Sequence, residues 1–539
     1  MSPPVYDLII KNGFIIDGTG NPGFNADLAV KDNQIVLIAT KINGGSKEVI
    51  DADGKAVVPG FIDPHVHEEF IALEDGKFEV FLRQGVTTII NGNCGHSVTP
   101  GSSQNIFEYM FKNGLVSSLE YYAGNNWNSL EEYIDLVKTK GFNINMGILL
   151  GHGTIRWTVM GGSKDRAPTE QEYELISEKI EEGLEAGALG MSTGLAYIPS
   201  RYANTEELIK AAEVLNKHDA IYTSHLRSYL GVLEAVKEAI EIGQKSGVRV
   251  QVSHLTPTVP EAFDEILKVR KSGVEIAIDT IPKSSGHCIR KDRLIQSIMA
   301  SISSLFEEGI ENAQKAIRDN QMREEIKEKA RIFSENTSRM YVINAGNEEI
   351  EGKSLDELSK RYNKDPKELL LDMLADDKFE FTLWNGGYRK KEFPGEPYPD
   401  NIANNPLVMV GSDRIFGEND NPYVWYELFR TGAFPIYYNL MKKKNIRTEE
   451  IIRRLTSLPA QQFRLTNRGI LKQGMIADIS VIDLDNFNFP ADENRGYEKP
   501  LVFAEGVEFV IVNGKIVLDR GPLENIKAGS FLGKYGTKL

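Results

Sequence analysis

The sequence predicts an α/β protein built around a (β/α)8 barrel of the TIM type. Two further features complete the prediction: a small β-sandwich domain formed by both chain termini, and a helical insertion before the last barrel strand. The barrel follows from eight apolar, strand-like runs between Phe61 and about Asp413, which alternate with amphipathic segments of helical period. Eight is the number of repeats that closes such a barrel.

The two ends of the chain share a β-type pattern. The first sixty residues contain short apolar runs separated by turn residues, such as YDLIIKNG and EVIDADGKAVVPG. Near the other end, Asn513 and Gly514 lie between two apolar runs and indicate a hairpin turn of type I′. One small domain drawn from both ends is the simplest interpretation. We assign it residues 1–60 and 468–525, which leaves 61–467 for the barrel.

The barrel strand candidates are runs with an apolar centre that end in small or polar residues. In chain order they are GFIDPHVH, TTIINGNCG, INMGILLGHG, GALGMSTGLAY, AIYTSHLRS, VRVQVSHLT, VEIAIDTIP and PLVMVGSD. The helices between them are indicated by their period and by their end signals. In TEQEYELISEKIEEGLEAG, for example, Thr169 is a suitable N-cap and Gly187 follows the last helical residue.

The connection between the seventh and eighth runs is unusually long. It spans about 120 residues, whereas ordinary connections in such folds have only a few. Its first half is helical in pattern and highly charged. We therefore predict a helical insertion over 285–345, within the barrel domain and in a position to act as a lid over the barrel mouth.

The composition excludes several functional classes. The 62 basic and 77 acidic residues give a net charge of -15, and no stretch concentrates basic residues, which argues against a nucleic-acid partner. Two cysteines rule out a disulfide framework and favour a reducing compartment. There is no signal-peptide pattern and no uncharged apolar run near the length of a membrane span. We expect a cytoplasmic protein that acts on a small molecule, without a membrane partner.

His65 and His67 are the first candidates for chemistry. Residues i and i+2 of a strand share a face, so this pair projects two imidazoles from the end of the first run. Such a pair alone is more often just two polar residues at a strand end. The pair gains significance because barrel enzymes place their active-site residues at the C-terminal ends of the strands. Four other residues of ligand type lie at such ends: Cys94, His225, His254 and Asp413.

Each of these residues also has an ordinary structural interpretation. A cysteine is commonly a small buried apolar residue, a single histidine is commonly a satisfied polar group, and Asp413 is suited to cap a turn. Together, however, six donors exceed the four of a closed structural zinc site. They indicate two ions, or one ion plus a catalytic group. A thiolate and imidazoles favour zinc over magnesium or calcium.

These residues lie in motifs that resemble a known family. The motifs are PGFIDPHVH, NGNCGHSVTP, LLGHGTIR, GALGMSTGLAYIP, SHLRSY, QVSHL and VGSD, in family order over nearly the whole chain. They are similar to those of the amidohydrolase superfamily and, within it, of the N-acyl-D-amino-acid deacylases, or D-aminoacylases. The resemblance implies the barrel, the domain built from both termini and the insertion. It also implies a metal-dependent hydrolase that cleaves linear amide C–N bonds, most simply of an N-acyl-D-amino acid.

The resemblance also implies roles for the donors. The implied metal ligands are His65, His67, Cys94, His225 and His254, with Asp413 as the general base and acid beside the metal. One zinc ion held tightly by Cys94, His225 and His254, with a second, weaker position, is what the deacylases imply. Many relatives bridge two ions with a carboxylated lysine on the fourth strand. The fourth run here contains no lysine, so a Cys94 thiolate bridge is expected instead.

The resemblance specifies the substrate-binding residues less completely than the metal ligands. His152 and Arg156 match a GHGTLR-like segment of the deacylases, which implies a place near the substrate acyl side or a role in supporting the rim. The family pattern for holding a substrate carboxylate is not kept: Thr256 stands where a lysine is expected. A substitute anion anchor is predicted from four residues: Lys283, Ser284, Ser285 and Arg430.

Two alternatives remain open at this point. If the substrate carries no carboxylate, the same metal chemistry would suit a cyclic amide, a lactone or another ester. The third interpretation is a non-catalytic barrel that serves as a scaffold, although such a barrel has no structural need for a thiolate and four imidazoles on one rim.

Overall fold

The structure is a computed structural model. It describes residues 5–113, 115, 124–257, 259–282, 288–299, 301–333, 337–347, 349–384, 399–415, 431–490 and 502–539.

Eight parallel strands form the central sheet, and their order in space equals their order along the chain. They are Phe61–Asp63, Val86–Asn91, Asn145–Gly151, Gly190–Gly194, Ile221–His225, Arg249–Val252, Ile276–Thr280 and Val408–Val410. Each strand overlaps one of the eight predicted runs, and seven of them lie entirely within their run. The predicted barrel is therefore confirmed. Every residue in these strands is buried, as expected for a parallel sheet that is covered on both faces.

The first and last barrel strands meet at the C-terminal mouth of the barrel. There the short strand Val66–His67 pairs in parallel with Arg414–Ile415. The side chain of Asp63 joins the same two chain segments, because its Oδ1 accepts hydrogen bonds from the backbone N–H groups of His65 and Ser412, each at 3.1 Å. The seam that completes the barrel therefore lies next to the predicted metal ligands.

Helices cover the outside of the barrel. They are Glu79–Leu82, Ser103–Lys112, Leu130–Lys140, His152–Met160, Glu170–Glu185, Thr205–Lys217, Val232–Ser246, Pro260–Lys271, Asp400–Ala403, Ala433–Lys443, Thr448–Leu455 and Ser457–Gln462, with 3-10 turns at Ile71–Leu73, Ser200–Tyr202 and Ser228–Leu230. Thr169 is the N-cap as predicted and forms a capping box with Glu172. None of the helices in the described residues combines the length and the apolar character needed to cross a bilayer.

A second sheet draws its strands from both ends of the chain. They are Val5–Ile15, Phe24–Lys31, Gln34–Ala39, Gly45–Asp51, Ala56–Pro59, Ile479–Ile482, Val507–Val512 and Lys515–Asp519, and a 3-10 turn follows at Lys534–Gly536. The two ends join where Ala56–Pro59 pairs antiparallel with Ile479–Ile482. Asn513 and Gly514 both have positive φ, at 50° and 79°, as a type I′ turn requires. The predicted fold class is confirmed, while the domain boundaries stay a prediction.

The insertion before the last barrel strand contains helices and a small sheet. The helices are Lys291–Met299, Ser303–Glu308, Ile310–Arg318, Asn320–Lys329, Leu355–Tyr362 and Pro366–Ala375, with 3-10 turns at Arg331–Phe333 and Thr337–Arg339. The strands are Cys288–Arg290, Tyr341–Asn344 and Thr382–Trp384. The last two helices share one hydrophobic core with the earlier ones. The range 285–345 for the insertion stays a prediction.

We predict that Asp63→Ala destabilises the barrel. The change leaves two buried backbone N–H groups without their acceptor, at a cost of about 1–3 kcal/mol for each group. Burial raises the pKa of Asp63 to about 7, so a neutral side chain of the same shape is well tolerated. Asp63→Asn, which keeps the acceptor oxygen, is therefore the matched control. Calorimetric unfolding would contradict this account if both variants unfolded at the same temperature.

Candidate metal centre

The six predicted donors come together at the barrel mouth in two groups that share one residue. Within each group, the potential ligand atoms all lie within 4.8 Å of one another. The first group comprises His65, His67, Cys94 and Asp413, and the second comprises Cys94, His225 and His254. Cys94 thus occupies the place that a bridging ligand between two ions would take.

Each donor lies at or just beyond the C-terminal end of a barrel strand. Three of them adopt positive φ values, which are uncommon for residues other than glycine: 53° for Cys94, 35° for His254 and 52° for Asp413. Such backbone conformations persist when the surrounding structure imposes them, and they cluster at functional sites.

Close packing between the second and fourth strands holds the Cys94 turn. A Cβ atom at Gly194 would lie only 1.9 Å from the Cys94 carbonyl oxygen, so the position requires glycine. The next residue, Gly95, donates its N–H to Ser192 Oγ at 2.9 Å. The small residues of GALGMSTGLAY therefore leave room for the Cys94 loop to lie directly against the fourth strand.

The Cys94 thiol lies at the centre of the histidines. Its Sγ is 3.4 Å from His65 Nε2, 3.6 Å from His225 Nδ1 and 3.3 Å from His254 Nε2. Zinc bonds of about 2.3 Å to sulfur and about 2.0 Å to nitrogen, at a tetrahedral angle, place the two atoms about 3.5 Å apart. The spacing and the chemistry of this donor set therefore fit zinc.

The electrostatics of the site favour a thiolate. Burial by itself raises the pKa of Cys94, but the charges of His254 and His65 and the hydrogen bonds from His225 and His254 hold that pKa well below its ordinary value. Burial likewise disfavours a charged His67 ring, yet hydrogen bonds with Asp413 and Cys94 raise the pKa of His67 to about 9. The cluster thus holds negative charge on sulfur, the form that binds metal.

Asp413 faces both histidines of the first strand. Its Oδ1 lies 3.5 Å from His65 Nε2 and 3.4 Å from His67 Nε2. Its side chain is 14% exposed, whereas the His65 side chain is completely buried. A carboxylate at this position can contact both the metal ligands and a water molecule entering from the barrel mouth.

Asp279, on the seventh barrel strand, contacts two of the predicted ligand residues, and the sequence analysis did not single it out. The side chain is buried, and its Oδ1 lies 3.2 Å from His65 Nδ1. The same oxygen accepts the backbone N–H of His254 at 2.7 Å, while Oδ2 accepts Gln251 Nε2 at 2.9 Å. Asp279 therefore lies against two of the donor residues at once, with a hydrogen bond to the backbone of His254. The sequence feature that could have identified Asp279 is its position near the end of the strand run VEIAIDTIP.

His152 and Arg156 lie in a separate buried network around Glu207. Glu207 Oε1 is 3.1 Å from His152 Nε2 and 2.6 Å from an Arg156 guanidinium nitrogen. His152 Nδ1 also lies 3.0 Å from Ser200 Oγ. These contacts favour the second of the two predicted roles, support of the rim. Glu207 lies on the helix Thr205–Lys217, and no sequence motif indicated a role for it.

The structure does not describe the four residues of the predicted anion anchor. Lys283, Ser284, Ser285 and Arg430 all lie outside the described residues. Thr256, which follows the sixth strand, is described and exposed.

Comparisons with known proteins find similar sequences and structures over most of the chain. Residues 48–217 and 400–518 match the Amidohydrolase family. The chain is 25% identical to D-aminoacylase of Alcaligenes xylosoxydans xylosoxydans over 98% of both chains. It is 27% identical to N-acyl-D-aspartate deacylase of the same organism, over 96% of this chain and 93% of that protein.

A solved structure is similar over the whole length. N-acyl-D-glutamate deacylase from Bordetella bronchiseptica, in complex with zinc and a phosphonate mimic of the tetrahedral intermediate, superposes with a TM-score of 0.72. The two chains are 25% identical, and the match covers 99% of this chain and 100% of that one.

We predict that Asp279→Ala weakens zinc binding by about 10- to 100-fold, the usual cost of losing a residue that orients metal ligands. The loss arises because His65 and the His254 backbone would no longer share a fixed acceptor. Asp279→Asn keeps an oxygen for the His254 N–H and should retain more affinity. Zinc titration with a competing chelator measures the effect. Wild-type affinity in the alanine variant would refute the positioning role.

Proposed function

Because this chain belongs to the amidohydrolase family, we propose that it is a zinc-dependent hydrolase that converts an N-acyl-D-amino acid into a carboxylate and a D-amino acid. The observation that carries the proposal is the meeting of one cysteine, four histidines and one aspartate at the barrel mouth. The deacylases similar to the chain over nearly its whole length support the substrate class.

The proposed zinc ligands follow from the two donor groups. Cys94, His225 and His254 would hold the tightly bound ion, and His65, His67 and Asp413, together with Cys94, would hold a weaker second ion. Bound there, zinc would supply a Lewis acid that polarises the acyl carbonyl and makes water acidic enough to attack near neutral pH. The buried histidines and thiolate keep their geometry through Asp279 and the Cys94 turn.

Asp413 carries the proton in this proposal. It accepts a proton from the attacking water as the C–O bond forms, and it donates that proton to the amide nitrogen as the C–N bond breaks. The products are the carboxylate and the free amine, so no further reactant is needed. The partial exposure of Asp413 beside the buried histidines suits this role.

A cyclic amide, a lactone or another ester is the second candidate substrate. The observation that favours it is Thr256, an exposed neutral residue where the deacylases are expected to carry a lysine for the substrate carboxylate. The same activated water would attack any of these carbonyl groups.

A substrate panel separates the two candidates. We expect the zinc-loaded protein to hydrolyse N-acetyl-D-amino acids faster than hydantoins or lactones of similar size. The corresponding L-amino acid derivatives provide the stereochemical control. Preferential hydrolysis of the cyclic compounds would replace the first candidate by the second, and the absence of any hydrolysis would contradict both.

We predict that two site variants lose activity in different ways. Cys94→Ser should lose both zinc and turnover, because it removes the thiolate shared by both donor groups. Asp413→Asn should keep most of the zinc while kcat falls by about 10²- to 10⁴-fold, the usual contribution of a general base or acid. Metal analysis and steady-state kinetics on the same samples make the comparison. Full turnover in either variant would show that its assigned role is wrong.

A further inference from the structure

A buried ion pair crosses the seam between the first and last barrel strands. Glu68 Oε1 lies 3.0 Å from an Arg414 guanidinium nitrogen, and the two side chains are 0% and 2% exposed. Glu68 follows the donor His67 along the chain, and Arg414 follows the donor Asp413. The donors themselves also meet across the seam, with His67 Nε2 3.4 Å from Asp413 Oδ1. Two consecutive residues of each segment therefore contact the other segment.

The strand pairing at the seam is short. Within the described residues the ladder joins two residue pairs, Val66 with Arg414 and His67 with Ile415. Strand register matters here, because a slip by one residue turns every side chain to the opposite face. A slipped seam would take Asp413 away from His67. The register of so short a ladder therefore depends on contacts outside the ladder itself.

Contacts outside the ladder hold Asp413 from both sides along the chain. On the preceding side, the His65 carbonyl oxygen accepts the backbone N–H of Asp413 at 2.9 Å, and Asp63 accepts that of Ser412. On the following side, the Arg414 side chain pairs with Glu68. The ion pair thus completes the attachment of the segment that carries Asp413.

Both members of the ion pair also contact residues beyond the seam. The backbone N–H of Glu68 donates to Asn91 Oδ1 at 2.8 Å, and Asn91 is the last residue of the second barrel strand. The guanidinium carbon of Arg414 lies 5.9 Å from the centroid of the Phe81 ring, within the range of a cation–π contact. The pair is therefore attached to the barrel wall, and the seam cannot slip without breaking these contacts.

Stability alone does not account for an ion pair at this position. Two buried charges lose their hydration, and apolar residues of similar volume commonly stabilise a protein as well or better. A charged pair adds direction, because a contact of 3.0 Å between two particular atoms exists in one register only. Apolar side chains would keep contact after a slip.

We propose that Glu68 and Arg414 are positioning residues that fix the register of the seam and so hold His67 and Asp413 together at the weaker zinc position. This inference rests on the proposed zinc ligands, and it does not depend on the substrate. The tighter zinc position draws on Cys94, His225 and His254, and none of these residues lies on the seam. The two zinc positions should therefore respond differently to loss of the pair.

The double variant Glu68→Leu/Arg414→Met tests the proposal. It removes both charges together, so that no charge stays buried without its partner and the barrel folds. The dissociation constant of the weaker ion should rise by about 10- to 100-fold, the usual effect of losing residues that orient metal ligands. The dissociation constant of the tighter ion should not change.

Withdrawal of zinc from the loaded protein by a competing chelator gives the two dissociation constants separately. A pair that served stability alone would leave the double variant with wild-type affinity at the weaker position, or would weaken both positions equally. Either result would overturn the proposal, as would a wild-type protein that binds a single ion.

Two single variants complete the test. Arg414→Lys keeps a positive charge for Glu68, so it should bind the weaker ion more tightly than the double variant does; equal binding would contradict a role for the ion pair. Arg454→Met is the matched control, since Arg454 is also 2% exposed and pairs with Glu450 at 2.9 Å on the helix Thr448–Leu455. It should lower the unfolding temperature and leave both zinc dissociation constants unchanged.

Kinetics on the double variant test the orientation of Asp413. With both zinc positions saturated, kcat should fall on the order of 100-fold while KM changes little, because a small displacement of a reacting group has an effect of this size. Wild-type kcat would contradict the positioning of Asp413. If the wild-type protein with zinc hydrolyses no N-acyl-D-amino acid, the proposed function fails, and the zinc affinities then test the seam by themselves.

Discussion

The close approach of the Cys94 loop to the fourth barrel strand is the constraint on which the site depends. Because Gly194 has no side chain, the Cys94 carbonyl can lie directly against that strand, and the backbone can take its left-handed turn. The turn places Sγ within 3.3–3.6 Å of three imidazole nitrogens. A side chain at position 194 would displace the Cys94 carbonyl and, with it, the sulfur that both donor groups share. The small residues of the fourth strand are therefore needed to hold Cys94 in its place.

Much of the fold and the donor set could be predicted from sequence for one physical reason. Parallel strands in a barrel all point the same way, so residues at their C-terminal ends meet whatever their separation along the chain. Residues as distant along the chain as His65 and Asp413 were therefore identified together, and the structure places His65 Nε2 3.5 Å from Asp413 Oδ1. Most of the strand runs were recognisable by an apolar centre, as burial on both faces favours, together with the amphipathic helical segments between them.

The sequence analysis did not predict particular side-chain contacts, because neither hydrophobic periodicity nor the spacing of residues along the chain encodes them. Asp279 was interpreted only as part of a strand, although it lies against the His65 ring and accepts a hydrogen bond from the backbone of His254. Glu207 lies on a helix with an ordinary amphipathic pattern, and only the folded chain shows its contacts with His152 and Arg156. Shared burial, and not local pattern, joins the early and late helices of the insertion, so the sequence pattern alone did not indicate this contact.

The first and last described strands of the insertion are neighbours in one small sheet. Its first strand, Cys288–Arg290, pairs directly with its last, Thr382–Trp384, and its apolar side chains form a core distinct from that of the barrel. A unit whose two ends lie side by side can be lengthened, shortened or exchanged while the strands on either side of it keep their register. The length and sequence of the insertion can therefore change independently of the barrel strands that carry the six donors.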